Sequence, residues 1–491
     1  MMNKNYKWIA LSCTSLGVFF SVLSGGTLIV AFPSIMKDLN ASLAIIMWMF
    51  IGYMLALTIL VPFIGRLADI YGRKNLFVSG FFIFTLASLF CALSKSANQL
   101  LIYRMLQSVG GALLVGTNTA IVADAFGKEN LGKALGINSM VIGIASIIGP
   151  IIGGILVESS WRNIFYINVF IGFFGTLWSF MQLKEIYIPS KIKKIDYLGT
   201  FVFTIAILSF LFGFSLGGFF GWLSPFVIIS IICSIILFYV FIKIENNCDY
   251  PMMEIKLIKN KLLGFAYSSN LLNAIARGAI TFLLVFYFHI IKGMDTIQAG
   301  IMLTPFAIAM MISSPICGVI SDKYGTRILS FLGLLISAFG LIGFISISQT
   351  TTLFELGFWM SIMGIGSGMF FSPNSTLIMS SIPADKRGIA SGIRIMTNNG
   401  GMMLSFALSM AIIASSIDLN VLQDLIVNTK TENANQLDIS NFITGLRIVF
   451  SISFALNLFA AVLSFIKTKK PVWDSAPLDD LEKSTIESEA E

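Results

Sequence analysis

Two stretches decide how this chain folds: Gly65-Arg66-Leu67-Ala68-Asp69-Ile70-Tyr71-Gly72-Arg73-Lys74-Asn75, and Gly318-Val319-Ile320-Ser321-Asp322-Lys323-Tyr324-Gly325-Thr326-Arg327. Gly65 and Gly318, Asp69 and Asp322, Tyr71 and Tyr324, and Gly72 and Gly325 all pair at one constant offset of 253 positions. A fixed offset across more than half of a chain is the mark of duplication. Each stretch reads as a short loop between long apolar runs. Its glycines let the backbone turn sharply or approach a neighbour, and its acid and bases sit where a membrane helix meets water. An ordinary positively charged anchor would explain one copy. Two copies in register argue for a latch: Asp69 caps or pairs with a helix end across the boundary between two halves, supported by Arg66, Arg73 and Lys74. Asp322, Gly325 and Arg327 form its second, degenerate copy, with Val319 and Thr326 where the first copy has Arg66 and Arg73.

Composition settles the class. With 56% hydrophobic residues, 12% charged residues and a mean hydropathy of +0.87, a chain of 491 residues cannot be a soluble domain. About fourteen apolar runs of roughly 18 to 25 residues are long enough to span a bilayer. The first, Trp8 to Met36, carries no charge; it is too long for a signal-peptide core and lacks a small-x-small cleavage site, so it reads as a retained helix. Both termini are then cytoplasmic, and Lys and Arg concentrate on that side as the positive-inside rule demands. The net charge of +7 therefore reports topology and argues for no nucleic-acid partner. The five cysteines show no metal-ligand spacing, and the single histidine, His289, ends the ninth run near the outer surface, where packing explains it. No Walker-type nucleotide loop occurs, so neither an enzyme, a cofactor nor direct nucleotide drive is expected.

The stretch Gly65 to Asn75 resembles the loop between the second and third helices of the major facilitator superfamily, and three further matches accompany it. Arg104, Gln107 and Gly110 in the fourth run resemble that family's second motif, which implies an influence of Arg104 on proton release. In the fifth run Gly143, Gly149, Pro150, Gly153 and Gly154 resemble its antiporter signature, built on Gly-Pro-x-x-Gly-Gly. The turn Trp161 to Asn168 is similar to that of the fourteen-helix drug:proton antiporters. The resemblance implies an all-α polytopic membrane protein of two pseudo-symmetric six-helix halves with an inserted two-helix hairpin, in the plasma membrane. Ser24 departs from the pattern, standing where those antiporters carry an acid.

On this reading residues 1–185 form the N-terminal half, 186–245 a cytoplasmic linker with the inserted helix pair, 246–470 the C-terminal half, and 471–491 an acidic, disordered tail. A second correspondence supports the halves: Asn118-Thr119, Gly132, Ala134 and Gly136 answer Asn374-Ser375, Gly388, Ala390 and Gly392 at an offset of 256. Two homologous halves predict a pseudo-two-fold axis along the membrane normal and a site between them.

Charge inside the runs frames the function. No Asp or Glu lies near the middle of an apolar run; Asp124 and Glu158 stand near run ends, while Arg104, Arg277 and Arg394 lie within runs. An arginine there costs on the order of 3 kcal/mol, so it faces the bundle interior or snorkels to the surface. Coupling candidates are Arg104, Asp124 and Glu158; substrate-cavity candidates are Ser24, Gln107, Arg277 and Arg394. Three functions fit: proton-coupled export of amphipathic, drug-like molecules through a cavity rich in Met and Phe; export of anionic or lipid-like amphiphiles; or a membrane receptor or scaffold that no longer transports.

Overall fold

The apolar runs fold into long helices because a backbone in hydrocarbon must satisfy its own polar groups. The computed structural model describes residues 6–41, 43–127, 130–186, 196–221, 223–248, 259–294, 296–416 and 436–466. Its helices are α1 (Tyr6–Leu39), α2 (Leu43–Tyr71), α3 (Arg73–Ala92), α4 (Ala97–Phe126), α5 (Leu131–Ser159), α6 (Asn163–Gln182), α7 (Tyr197–Phe220) and α8 (Pro225–Asn247). There follow α9 (Lys261–Ile290, broken once at Ala279), α10 (Gln298–Tyr324), α11 (Thr326–Ile345), α12 (Leu353–Ser380), α13 (Arg387–Ser416) and α14 (Gln436–Phe465). Among the described residues there is no strand. Twelve of these helices are long and apolar enough to cross a membrane. The other two are α7, whose apolar part is the shorter Leu198–Phe214, and α13, whose centre carries Thr397, Asn398 and Asn399.

Several expected boundaries move. The two repeated stretches are almost entirely helical: α2 continues to Tyr71, α10 to Tyr324, and each turn is a single glycine. Gly72 and Gly325 carry φ of 93° and 92°, a region that side chains avoid, so one residue reverses the chain where a loop was expected. α1 runs through Pro33 to Leu39, three residues beyond the charge-free run that ends at Met36. α13 reaches Ser416 and α14 begins at Gln436. Residues 417–435, most of the linker at 187–195 and the acidic 471–491 tail lie outside the described residues.

Internal symmetry is written in hydrogen bonds. Asn118 Nδ2 of α4 donates to the Thr14 carbonyl of α1 at 2.7 Å, and Asn374 Nδ2 of α12 donates to the Ala266 carbonyl of α9 at 3.4 Å. At the opposite end of the bundle, Arg162 donates to the Ser94 carbonyl at 3.2 Å, and Arg447 to the Ile347 carbonyl at 2.8 Å. There Asp38 also accepts from Trp161 and Arg162 at 2.8 and 2.7 Å, and these bonds hold its exposed carboxyl below the usual carboxylate range. α2 packs against α13, and α5 against α10, giving two seams. Among the described residues the pair α7–α8 lies at the first, α7 packing on α13 and α2. Asp196 starts that pair by accepting the Gly199 N–H at 2.7 Å, a side-chain cap on α7.

Candidate functional site

Backbones at the two seams approach until only glycine fits. A Cβ on Gly388 of α13 would lie 2.6 Å from Asp69 Oδ1, and one on Gly132 of α5 would lie 2.6 Å from Asp322 Oδ1. One turn deeper, a Cβ on Gly392 would meet Pro62 Cα at 2.8 Å, and one on Gly136 would meet Pro315 Cα at 2.6 Å. This closeness brings each carboxylate onto the first turn of a facing helix. Asp69 accepts the N–H groups of Gly388 and Ile389 at 3.0 and 3.1 Å. Asp322 accepts those of Gly132 and Lys133 at 2.8 and 2.9 Å. The first N–H groups of a helix lack intrahelical partners and carry the positive end of its dipole, so a carboxylate satisfies both needs.

The two caps differ in their surroundings. Asp69 is 2% exposed and pairs with Arg73 Nη2 at 2.7 Å, one turn along. Arg73 also pairs with Asp124 of α4, and Asp124 accepts from Arg387 Nη1 at 2.9 Å at the start of α13. Four charges thus chain together across the seam. Asp322 is half-buried, and Thr326, Ser380 and Leu131 occupy the positions answering Arg73, Asp124 and Arg387.

The other basic latch candidates do not bond the capping aspartates among the described residues. Arg66 Nε is buried without an acceptor among the described residues. Lys74 turns away from Asp69; its backbone N–H donates to Glu185 at 2.9 Å, and its ammonium lies 5.9 Å from the Phe180 ring centroid. Arg327 donates to the Phe465 carbonyl at 2.7 Å, tying α11 to α14. Arg387 escaped the sequence reading, although it directly precedes the repeated Gly388; its signal was a charge at the position where the first half has Leu131.

Above the latches an apolar plug draws on both halves and the α7–α8 pair. Ile59, Val122 and Leu135 meet Phe203, Tyr267 and Ile393 there. Arg394 stands directly over the plug. It does not snorkel: it is 7% exposed, its Nη2 donates to Thr119 Oγ1 of α4 at 3.0 Å, and its guanidinium lies 5.3 Å from the Phe371 ring centroid. Arg104, 1% exposed, does not snorkel either; it donates to Gln107 and lies 4.5 Å from the Tyr53 ring centroid. Gln107 passes this contact on to Ser88 Oγ at 2.7 Å. Ser24 accepts from Asn168 Nδ2 of α6 at 3.1 Å and is 2% exposed, so Ser24 and Gln107 are sealed into the packing of the first half and line no open cavity here.

Arg277 is half-buried at the end of the first piece of α9, where a cation complements the helix's carbonyl end. Glu158 is exposed near the end of α5, far along the helix from Gly132. The motif glycines of α5 serve two neighbours. A Cβ on Gly143 would meet Met311 of α10 at 3.1 Å, whereas on Gly149 and Gly153 it would meet Gly26 and Thr27 of α1 at 3.2 and 2.9 Å. Pro150 lies within the helix and Gly154 is buried. A groove of about 650 Å³ between α10 and α12 is walled by exposed Ile308, Ile312, Ile316 and Ile365, the character of a lipid-facing furrow.

Comparison with known proteins agrees with this fold. The chain is 30% identical over 410 residues to the riboflavin transporter RibZ of Clostridioides difficile (strain 630), spanning 83% of this chain and 88% of that one. It is 30% identical over 394 residues to multidrug resistance protein 3 of Bacillus subtilis (strain 168), spanning 79% and 76%. The structure of the human organic anion transporter MFSD10 (TETRAN) superposes with a TM-score of 0.66 at 12% identity, covering 93% of this chain and 99% of that one, which speaks to the fold alone. The Major Facilitator Superfamily model matches residues 14–195, 197–406 and 266–489. The chain is a multi-pass, non-enzymatic membrane transporter and belongs to the major facilitator superfamily.

Proposed function

We propose that this transporter is a secondary active exporter of amphipathic, drug-like small molecules, working by alternating access in exchange for protons, with its latch face toward the cytoplasm of a cell whose plasma membrane it spans. The observation that carries the reading is the reciprocal capping: Asp69 of the first half holds α13, and Asp322 of the second holds α5. Breaking both bonds frees the halves to rock apart at that face, and remaking them closes it. Relatives named as multidrug and riboflavin transporters support a small-molecule substrate.

Asp69 and Asp124 are the acids that fit the coupling role. Both are buried at the seam, whereas Glu158 is exposed and remote from it. A carboxylate that takes a proton loses its charge and part of its accepting capacity, which loosens its grip on Gly388, Ile389 and Arg73. The proton is taken up with the latches closed and leaves to the cytoplasm once they part.

The test is reconstitution into liposomes with an inside-acid gradient and an internal pH dye. Addition in turn of an amphipathic cation, such as ethidium, and of an amphipathic anion should raise the internal pH with at least one of the two, as protons leave in exchange. Dye uptake that is unchanged when an ionophore collapses the gradient would overturn proton coupling.

A further inference from the structure

Arg394 is an incomplete ion pair. More than nine-tenths buried, its guanidinium reaches one neutral hydroxyl, Thr119, and its Nε has no acceptor among the described residues. Its backbone is fixed from behind, since Asn270 of α9 donates to the Arg394 carbonyl and to Thr397 Oγ1, both at 2.9 Å. An arginine at such depth ordinarily faces a partner or a water-filled cavity and marks a substrate or ion path. Across α4, α9, α12 and α13 the only acids are Asp124 and Glu355, both near helix ends. Asp124 lies five residues beyond Thr119, about 7.5 Å along α4, and is already held by Arg73 and Arg387. The answering position in the first half is Asn138, which donates to Asn118 at 2.6 Å and stays within its own half. The positive charge is therefore particular to this side, and it crosses the boundary that opens.

We propose that Arg394 is a substrate-binding residue and that the substrate is an amphipathic monoanion, its carboxylate or sulfonate taken by the free edge of the guanidinium and its apolar body laid against Phe371. Thr119 belongs to the first half and Arg394 to the second. When the latch face opens, the guanidinium loses its hydroxyl partner and faces the loading side with a full fork of donors, which suits a planar oxyanion. Closure brings Thr119 back to compete for it. An anion exchanged for an inward proton moves charge in the same sense twice, so export follows an inside-negative potential. This inference rests on the export reading and names its substrate class.

Three permanently charged or neutral probes of one size test it: pyrene-1-sulfonate, pyrenemethanol and a pyrenyl trimethylammonium. Binding is read by fluorescence on purified full-length protein, and uptake in proteoliposomes. The wild type should bind the sulfonate at least tenfold more tightly than the other two. Arg394→Gln should abolish that preference while leaving pyrenemethanol binding unchanged, and Arg394→Lys should keep part of it. Equal binding of all three probes by the wild type, tighter binding of the cation, or parallel loss of all probes in both variants overturns the proposal. A wild type that binds the sulfonate but moves none of the probes sinks the export reading alone. One that moves the neutral or cationic probe without preferring the sulfonate sinks the anion site alone.

Discussion

The two latches share a backbone plan and differ in charge. Both place an aspartate on two N–H groups of a facing helix, with glycines that let the helices touch. Around Asp69 stand Arg73, Asp124 and Arg387; around Asp322 the same positions hold Thr326, Ser380 and Leu131. The seam with the charges is also the one that α7–α8 cover. A carboxylate on a helix end is thus sufficient to close a seam, and the added charges make one seam the harder to open. On the proposed alternating-access cycle, rocking is then asymmetric, with the α5–α10 seam parting at less cost than the α2–α13 seam.

Amide hydrogen exchange reads this difference directly, because the latched N–H groups are themselves the probes. The largest change should follow Asp69→Asn. Removing one member of a buried ion network costs about 3–5 kcal/mol, so exchange at Gly388 and Ile389 should accelerate by roughly 100-fold or more. Transport should fall by at least about tenfold, with the protein still inserted. Asp322→Asn should act in the same direction but less. It weakens two charge-assisted bonds at a half-buried site, about 1.5–3 kcal/mol at most, so exchange at Gly132 and Lys133 should quicken by roughly tenfold. Equal acceleration in the two variants would show that the charge network adds nothing to the first latch.

The smallest effect sharpens the contrast from the other side. Thr326→Arg places a cation one turn from Asp322, as Arg73 stands to Asp69. An exposed pair of this spacing adds about 0.3–0.5 kcal/mol, so exchange at Gly132 and Lys133 should slow by roughly twofold. Acceleration instead would mean that the guanidinium draws Asp322 off the α5 end.

Much of this was legible in the residues. The offsets of 253 and 256 marked the paired Asp69 and Asp322 and the paired Gly132 and Gly388, because a duplicated half must keep the residues that let backbones touch. Arg66 and Lys74 read as latch support, and among the described residues neither bonds Asp69: Arg73 takes that place, and Gly72 starts a new helix before Lys74. Arg104 and Arg394 left snorkelling open. Whether a long side chain turns inward depends on what the next helix offers, here Gln107 with the Tyr53 ring, and Thr119 with the Phe371 ring.

By itself the sequence determined the class, the duplication and the identity of the capping acids. Hydrophobic run length, charge placement and glycine positions are local properties of the chain, and the bilayer leaves the helix as their simplest solution. Only the tertiary structure decided which helix end each acid caps, that Arg387 completes the charge network, that α7–α8 guard one seam, and that Arg394 crosses the boundary between halves. Those contacts join residues far apart in the chain, up to 320 positions for Asp69 and Ile389, and such pairs exist only once the packing of two helices has brought them within hydrogen-bond reach.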